Sequence, residues 1–216
     1  MRLPLASALF GLAALVSAPA SAQEVWITPD MPFFEFEVEG KTYAIEREQD
    51  TEHTITNSFA KTSRPCPPFC VQPAKVADGV ETVGELEIIS FLETEVTAGT
   101  GYLVDARVQS WFERGTIPGS VNLPFTVFAN DPSNPFLDSI SRALGGTLLT
   151  SGQWDFSNAK KLLMFCNGPW CGQSPRAIRN LISLGYPPEK LLYYRGGMQA
   201  WQSMGFNVIV PNNPQG

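Results

Sequence analysis

Apolar and polar positions settle into a repeating order from Thr82 onward. Thr82-Val83-Gly84-Glu85 reads as a capping box, opening a helix with Val83, Leu86, Ile89 and Leu92 on one side. After a turn around Gly99 and Gly101, a short strand over Tyr102 to Val104 ends on Asp105. Arg107 to Arg114 is read as helical, and Gly115 to Ser120 turns into a strand at Val121 to Leu123. Phe136 to Leu144 is read as a further helix, stopped by Gly145-Gly146. The apolar run Leu162, Leu163, Met164, Phe165 reads as a buried strand. Ser174 as N-cap, Pro175 at the first helical position and Gly185 past the end punctuate a helix bearing Ile178, Leu181, Ile182 and Leu184. Leu191 to Tyr194 gives one more strand and Gly197 to Met204 one more helix. Strands alternating with helices predict an α/β domain, a doubly wound parallel sheet with helices on both faces.

The preceding segment follows another rule. Phe34, Phe36 and Val38 alternate with Glu35, Glu37 and Glu39, and a turn at Glu39-Gly40-Lys41 leads into Thr42 to Ile45. That pattern predicts a hairpin in a small β-rich extension. Asp50 to Ser63 is polar and irregular, and the lone His53 in it is expected at the surface. Ser63 to Pro73 is too proline-rich for a regular element and forms a stiff turn holding Cys66 and Cys70 together.

At the start, Met1-Arg2, the apolar run Leu3 to Val16 and the small-residue triplet Ala20-Ser21-Ala22 read as a cleavable signal peptide. The expected organisation is a signal over 1–22, an extension over 23–80 and the α/β domain over 81–210. The expected destination is periplasmic or secreted, with no membrane contact once the signal is removed. The chain after residue 22, about 190 residues, can bury one good core. A net charge of -6 with no basic run argues against nucleic acid or an anionic membrane face as partner.

All four cysteines lie beyond residue 22. In an oxidising compartment an even count suggests disulfides, and four cysteines allow three pairings. Cys66 and Cys70 are read as disulfide-bonded, within the pair or to another cysteine, or as a redox-active pair facing the second cysteine loop. A four-cysteine metal site is the outside alternative, but the CxxxC and CxxxxC spacings do not match zinc ribbons. No other motif calls for a metal or a cofactor, and none is expected. Cys166 ends the buried strand, ahead of Asn167, Gly168, Pro169, Trp170, Cys171, Gly172 and Gln173. A thiol between a strand end and a helix N-terminus is placed to ionise, and glycines let backbone N–H groups turn inward to cradle an anion. The loop carries no Lys or Arg, so Arg107 and Arg176 are the nearest candidate cations.

Leu103-Val104-Asp105-Ala106-Arg107, Gly115-Thr116-Ile117-Pro118-Gly119-Ser120-Val121-Asn122-Leu123-Pro124, the segment ending Phe165-Cys166, and Tyr194-Arg195-Gly196-Gly197-Met198-Gln199-Ala200-Trp201 together resemble the rhodanese family of sulfurtransferases, over roughly Thr82 to Val208. The resemblance implies a rhodanese-like fold and a persulfide on Cys166 that is passed to a nucleophilic acceptor. Asp105 and Arg107 would frame the loop, as a buried ion pair rather than as reacting groups. Cys171 stands where the family's loop carries Arg, Gly172-Gln173 intervene before Ser174, and Thr116 stands where the signature has His. Gly172 also replaces the Arg of the related C-x5-R phosphatase loop, so phosphatase activity is not expected. The two-cysteine loop is similar to that of exported rhodanese-like proteins with a C-x3-C-W motif, although Trp170 here precedes the second cysteine. The expected function is exported sulfane-sulfur handling through Cys166, with Cys171 as resolving thiol and a small sulfur compound or thiol acceptor protein as partner. The alternative is an accessory or binding module whose loop is locked by a disulfide, with Trp170 exposed as a contact.

Overall fold

The computed structural model describes residues 25–211, so the signal-peptide reading of 1–22 lies outside the described residues. In chain order the strands are β1 (Phe34–Val38), β2 (Lys41–Ile45), β3 (Glu81–Thr82), β4 (Gly101–Asp105), β5 (Val121–Asn122), β6 (Thr147–Leu148), β7 (Trp154–Asp155), β8 (Lys161–Phe165) and β9 (Leu191–Tyr194). The α-helices are α1 (Glu85–Phe91), α2 (Gln109–Phe112), α3 (Leu137–Ala143), α4 (Gln173–Ser183) and α5 (Gly197–Ser203).

A parallel sheet in the order β3-β9-β8-β4-β5 forms the centre. Its middle strand β8 has no solvent-facing side, which is why its sequence is a continuous apolar run and not an alternation. Leu163 and Phe165 point to one face and pack with Leu103, Tyr194, α1 and α5. Leu162 and Met164 point to the other and pack with Val104, Tyr193 and the Ala177, Ile178, Leu181 stripe of α4. Each of those four β8 side chains is fully buried, an environment that stabilises an aliphatic or aromatic group by about 1.5–3 kcal/mol. This is the expected rhodanese-like α/β architecture, with the chain's own β-rich segment added in front.

That segment contains the expected hairpin, β1 pairing antiparallel with β2 from Phe34↔Ile45 to Val38↔Lys41. Phe36 and Ile45 insert into the core on the α1/α5 side. The ring of Phe36 lies over Gly119, where a Cβ would come within 2.6 Å of it. Gly119 (φ +79°) is therefore fixed twice over, by its left-handed backbone and by this close approach.

Three local expectations are corrected. Thr82 does not cap α1, because it is still paired in β3, opposite Tyr193. The cap is Gly84, whose N–H donates to Glu87 Oε2 at 2.9 Å, and the turn continues beyond α1 as a π-type segment, Leu92–Val96. Starting the helix later turns Leu86 outward to 49% exposure, while Ile88 joins Ile89 and Leu92 in the core. Ser174 is not an N-cap either: α4 starts at Gln173 behind Gly172, which frees the Ser174 hydroxyl to point inward. Finally, the helix expected over Arg107 to Arg114 is only the single turn Gln109–Phe112, and the small hairpin β6-β7 (Leu148 opposite Trp154) lies in a stretch with no clear period. Among the described residues no helix is long and apolar enough to cross a membrane.

Trp201 closes the core at the end of α5. It is fully buried, stacks on Phe206 at 4.4 Å between centroids and donates its indole N–H to Asn207 O at 2.8 Å. Trp201→Ala is expected to cost about 3–5 kcal/mol through the cavity it leaves. Urea titration of the two proteins should show the midpoint fall at unchanged slope.

Candidate active site

Parallel pairing brings the ends of β4 and β8 level, with Asp105 opposite Phe165, and Ala106 N–H extends the ladder to Phe165 O at 3.0 Å. Cys166 thus emerges at the carboxyl edge of the sheet. Its loop folds back through a turn, Cys171 N–H to Gly168 O at 2.9 Å, and enters α4. The other side of the loop is held by the start of α5, where Met198 N–H reaches Cys166 O and Gln199 N–H reaches Asn167 O, both at 3.0 Å. Gly197 (φ +56°) permits this contact, since a Cβ there would lie 2.3 Å from Cys166 O and 2.7 Å from Gly168 N.

The sulfur of Cys166 sits inside a set of donors. Ser174 Oγ–H donates to it at 3.1 Å, and as a thiol it donates in turn to Cys171 O at 3.3 Å. Burial pushes its pKa up, but the Cys171 thiol, the Ser174 hydroxyl and the backbone N–H groups of Ser174 and Gly168 outweigh that and hold it down at about 7. Cys171 moves the other way, raised by its hydrogen bond to Cys166, by burial and by repulsion from the Cys166 thiolate. Two neighbouring thiols with opposite displacements are an ioniser and its proton-bearing partner. Both are free thiols, 2% and 5% exposed.

Asp105 and Arg107 are both buried and bond as a fork, with Arg107 Nε 2.8 Å from Asp105 Oδ1. Thr116 Oγ–H donates to Asp105 Oδ2 at 2.8 Å, a contact that keeps the second carboxylate oxygen satisfied. Arg107 also reaches Asn167 Oδ1 at 3.4 Å and Gly115 O at 2.6 Å. The pair therefore braces the first turn of the loop, through Asn167, and its hydrogen bonds go to the loop frame.

Arg176 is not brought to the loop. It is exposed, with its guanidinium 5.2 Å from the centre of the Phe125 ring. Two arginines outside the expected set stand there instead. Arg195 follows β9 at the level where Cys166 follows β8, and its Nε and NH2 groups donate to Gln72 O at 3.0 and 2.9 Å. Arg64 lies 3.8 Å over the Trp170 ring. The register of adjacent parallel strands could have pointed to Arg195. Nothing local marks Arg64, which lies more than a hundred positions away.

Trp170 is half-buried, not exposed. It is held between Arg64, the edge-on ring of Phe69 (5.4 Å) and Gln199, whose Oε1 accepts its indole N–H at 2.5 Å. Pro169 O accepts the backbone N–H of Gln72 at 2.7 Å, and the Gln72 side chain lies 3.6 Å from where Gly172 would carry a Cβ. Gln173 at the start of α4 keeps a buried Oε1 without a partner. Cys66 and Cys70 form a disulfide with each other, which removes the four-cysteine metal alternative. No cluster of three or more metal-ligating side chains occurs among the described residues. His53 is exposed, 3.9 Å from Glu48.

The sequence profile of the rhodanese-like domain matches residues 90–204. No curated protein matches the chain. Solved structures that align with it include a Rhodopseudomonas palustris protein of unknown function described as a possible tyrosine phosphatase, at 22% identity over 74% of this chain and 99% of that one, TM-score 0.43. A Pseudomonas aeruginosa thiosulfate sulfurtransferase aligns at 16% identity over 60% of this chain and 20% of that one, TM-score 0.39. A human single-domain sulfurtransferase aligns at 20% identity over 59% of this chain and 97% of that one, TM-score 0.37.

Ser174→Ala removes one donor to the Cys166 sulfur without enlarging the side chain. The half-point for alkylation of Cys166 should move up from about 7 by roughly one pH unit, the worth of ~1.5 kcal/mol for a hydrogen bond to a charged group. Iodoacetamide modification followed by mass spectrometry across pH measures this, and an unchanged half-point would show that the hydroxyl does not stabilise the thiolate.

Proposed function

The chain belongs to the rhodanese-like domain family, and on that premise we propose that it is an exported enzyme that takes sulfane sulfur onto Cys166 as a persulfide. Membership supports a general sulfurtransferase-like role. The observation that carries the finer reading is the Cys166 sulfur, buried at a strand end yet held near pKa 7 by the Cys171 thiol, the Ser174 hydroxyl and backbone N–H groups.

Cys166 as thiolate attacks the sulfane sulfur of a small donor, forming an S–S bond while the donor's remaining part leaves with the electron pair of the broken bond. The outer sulfur is then passed to a thiol acceptor, or Cys171 attacks Cys166 to form a disulfide and release the sulfur as hydrosulfide. Cys171 suits the second role because it stands beside Cys166 and carries the proton that the departing sulfur takes away as hydrosulfide. The N–H groups that hold the thiolate also suit a persulfide anion. Asp105, Arg107 and Thr116 keep the loop in shape beneath this chemistry. Arg195 and Arg64 supply positive charge that the loop itself lacks, which favours an anionic sulfur donor.

The alternative of a disulfide-locked binding module is less well supported. Cys166 and Cys171 are not cross-linked, and Trp170 is covered by the chain's own residues.

Anaerobic treatment with a polysulfide or thiosulfate, followed by peptide mass spectrometry, should place added sulfur on Cys166. Cys166→Ser should abolish uptake, and unchanged uptake in that variant would end the enzyme reading. The rate should rise with pH through about 7 and level off above it, because the reactive form is the deprotonated one. Below that half-point each pH unit should remove about tenfold.

A further inference from the structure

The Cys66–Cys70 disulfide is not placed to staple distant parts of the chain, since its cysteines are only four positions apart. Closing so short a loop restrains little of the unfolded chain. Its position is more informative. Phe69, between the two cysteines, presses on Trp170 of the active loop. Two residues beyond Cys70, Gln72 donates its backbone N–H to Pro169 O and its side-chain amide to Cys70 O at 2.9 Å, and that amide lies 3.6 Å from where Gly172 would carry a Cβ. Arg195 clamps the carbonyl of the same Gln72. The disulfide turn is thus fastened directly over the loop that carries the two free thiols. The turn is also asymmetric: Cys66 is exposed, whereas Cys70, on the Gln72 side, is half-buried.

We propose that Cys66–Cys70 and Cys166–Cys171 form an internal dithiol–disulfide relay, in which the covering turn exchanges its oxidised state with the active loop. The proposal goes beyond the sulfur-transfer reading and takes from it only that Cys166 is a nucleophile. In the first step the Cys166 thiolate attacks the Cys70 sulfur. A Cys166–Cys70 bond forms, the Cys66–Cys70 bond breaks, and its electron pair leaves on Cys66, where water can solvate the new thiolate. Cys166 is then neutral, so the thiolate that the Cys171 thiol had been donating to, and that repelled a second negative charge beside it, is gone. Cys171 gives that proton to Cys66 and attacks the Cys166 sulfur, and the pair of the broken bond leaves on Cys70. The net change is a two-electron oxidation of Cys166 and Cys171 and a two-electron reduction of Cys66 and Cys70, with no outside oxidant. The exposed Cys66 is then the point where an external disulfide can restore the turn.

The test starts from full-length mature protein, reduced at Cys166 and Cys171 and oxidised at Cys66–Cys70, kept anaerobic between about pH 6 and pH 9 and quenched with acid before non-reducing peptide mapping. Molecules that have gained Cys166–Cys171 should have lost Cys66–Cys70, in a fraction independent of protein concentration. In Cys171→Ser the second step is blocked, and a Cys166–Cys70 mixed disulfide should build up at least about tenfold over wild type. Cys66–Cys70 as the sole bond in both proteins at every pH would overturn the relay. So would a Cys166–Cys171 bond in molecules that retain Cys66–Cys70, or a mixed disulfide to Cys66 in place of Cys70. Sulfur uptake by Cys166 in a Cys66→Ser/Cys70→Ser variant reports on the transferase reading alone, so the two ideas fail separately.

Discussion

The geometry of the candidate site depends on a contact between two pieces of backbone. The first turn of α5 lies so close to the start of the active loop that a Cβ at Gly197 would overlap Cys166 O, Gly168 N and the Asn167 carbonyl carbon. Because Gly197 has no Cβ, Met198 and Gln199 can present their N–H groups to the loop carbonyls. Those two bonds satisfy acceptors that the loop, lacking regular structure, could not pair within itself. With the carbonyls tied back, the loop's own N–H groups are free to face the sulfur. The low pKa of Cys166 is in this sense prepared by a helix that bonds to the backbone of its loop.

Two opposing electrostatic demands are reconciled in this space. Burying a thiolate is unfavourable, and burial acts on both cysteines in the direction of the neutral form. Only Cys166 collects enough donors to overcome it. Cys171 serves as one of those donors and is held protonated by the same contact. The difference between the two thiols arises from their arrangement, since the residue types are identical.

Much of this was legible in the sequence, for reasons that can be traced. A strand buried on both faces must be apolar throughout, so Leu162 to Phe165 identified β8, and Leu191 to Tyr194 matched β9 to the residue. The glycine pair before Trp201 and the Asp105-Ala106-Arg107 triplet pointed to the family because each meets a steric or ionic need local to its own turn. Helix starts were less legible. Ser174 and Thr82 carry capping chemistry, yet one hydroxyl turns toward Cys166 and the other donates to Ala74 O at 2.5 Å. A short polar side chain has several partners within reach, and tertiary structure decides among them. The cover over the loop was legible only as one reading of the Cys66/Cys70 turn, as a pair facing the second cysteine loop, since its contacts join residues that no period connects.

One such contact bears on how the molecule comes together. Gln72 and Arg195 are separated by 123 positions, and Gln199 reaches Phe59 O across 140. The segment that is synthesised first thus finds its seat on residues that are synthesised near the end. Contacts of such sequence separation carry a loop-closure entropy cost that local contacts do not. Until β9 and α5 are in place, the turn bearing Cys66 and Cys70 lacks its bonds from Arg195, and the loop lacks its ties to Met198 and Gln199. Concealment of the loop thus draws on residues synthesised near the end of the chain, and a nascent chain that stops short of β9 and α5 leaves its thiols without these contacts.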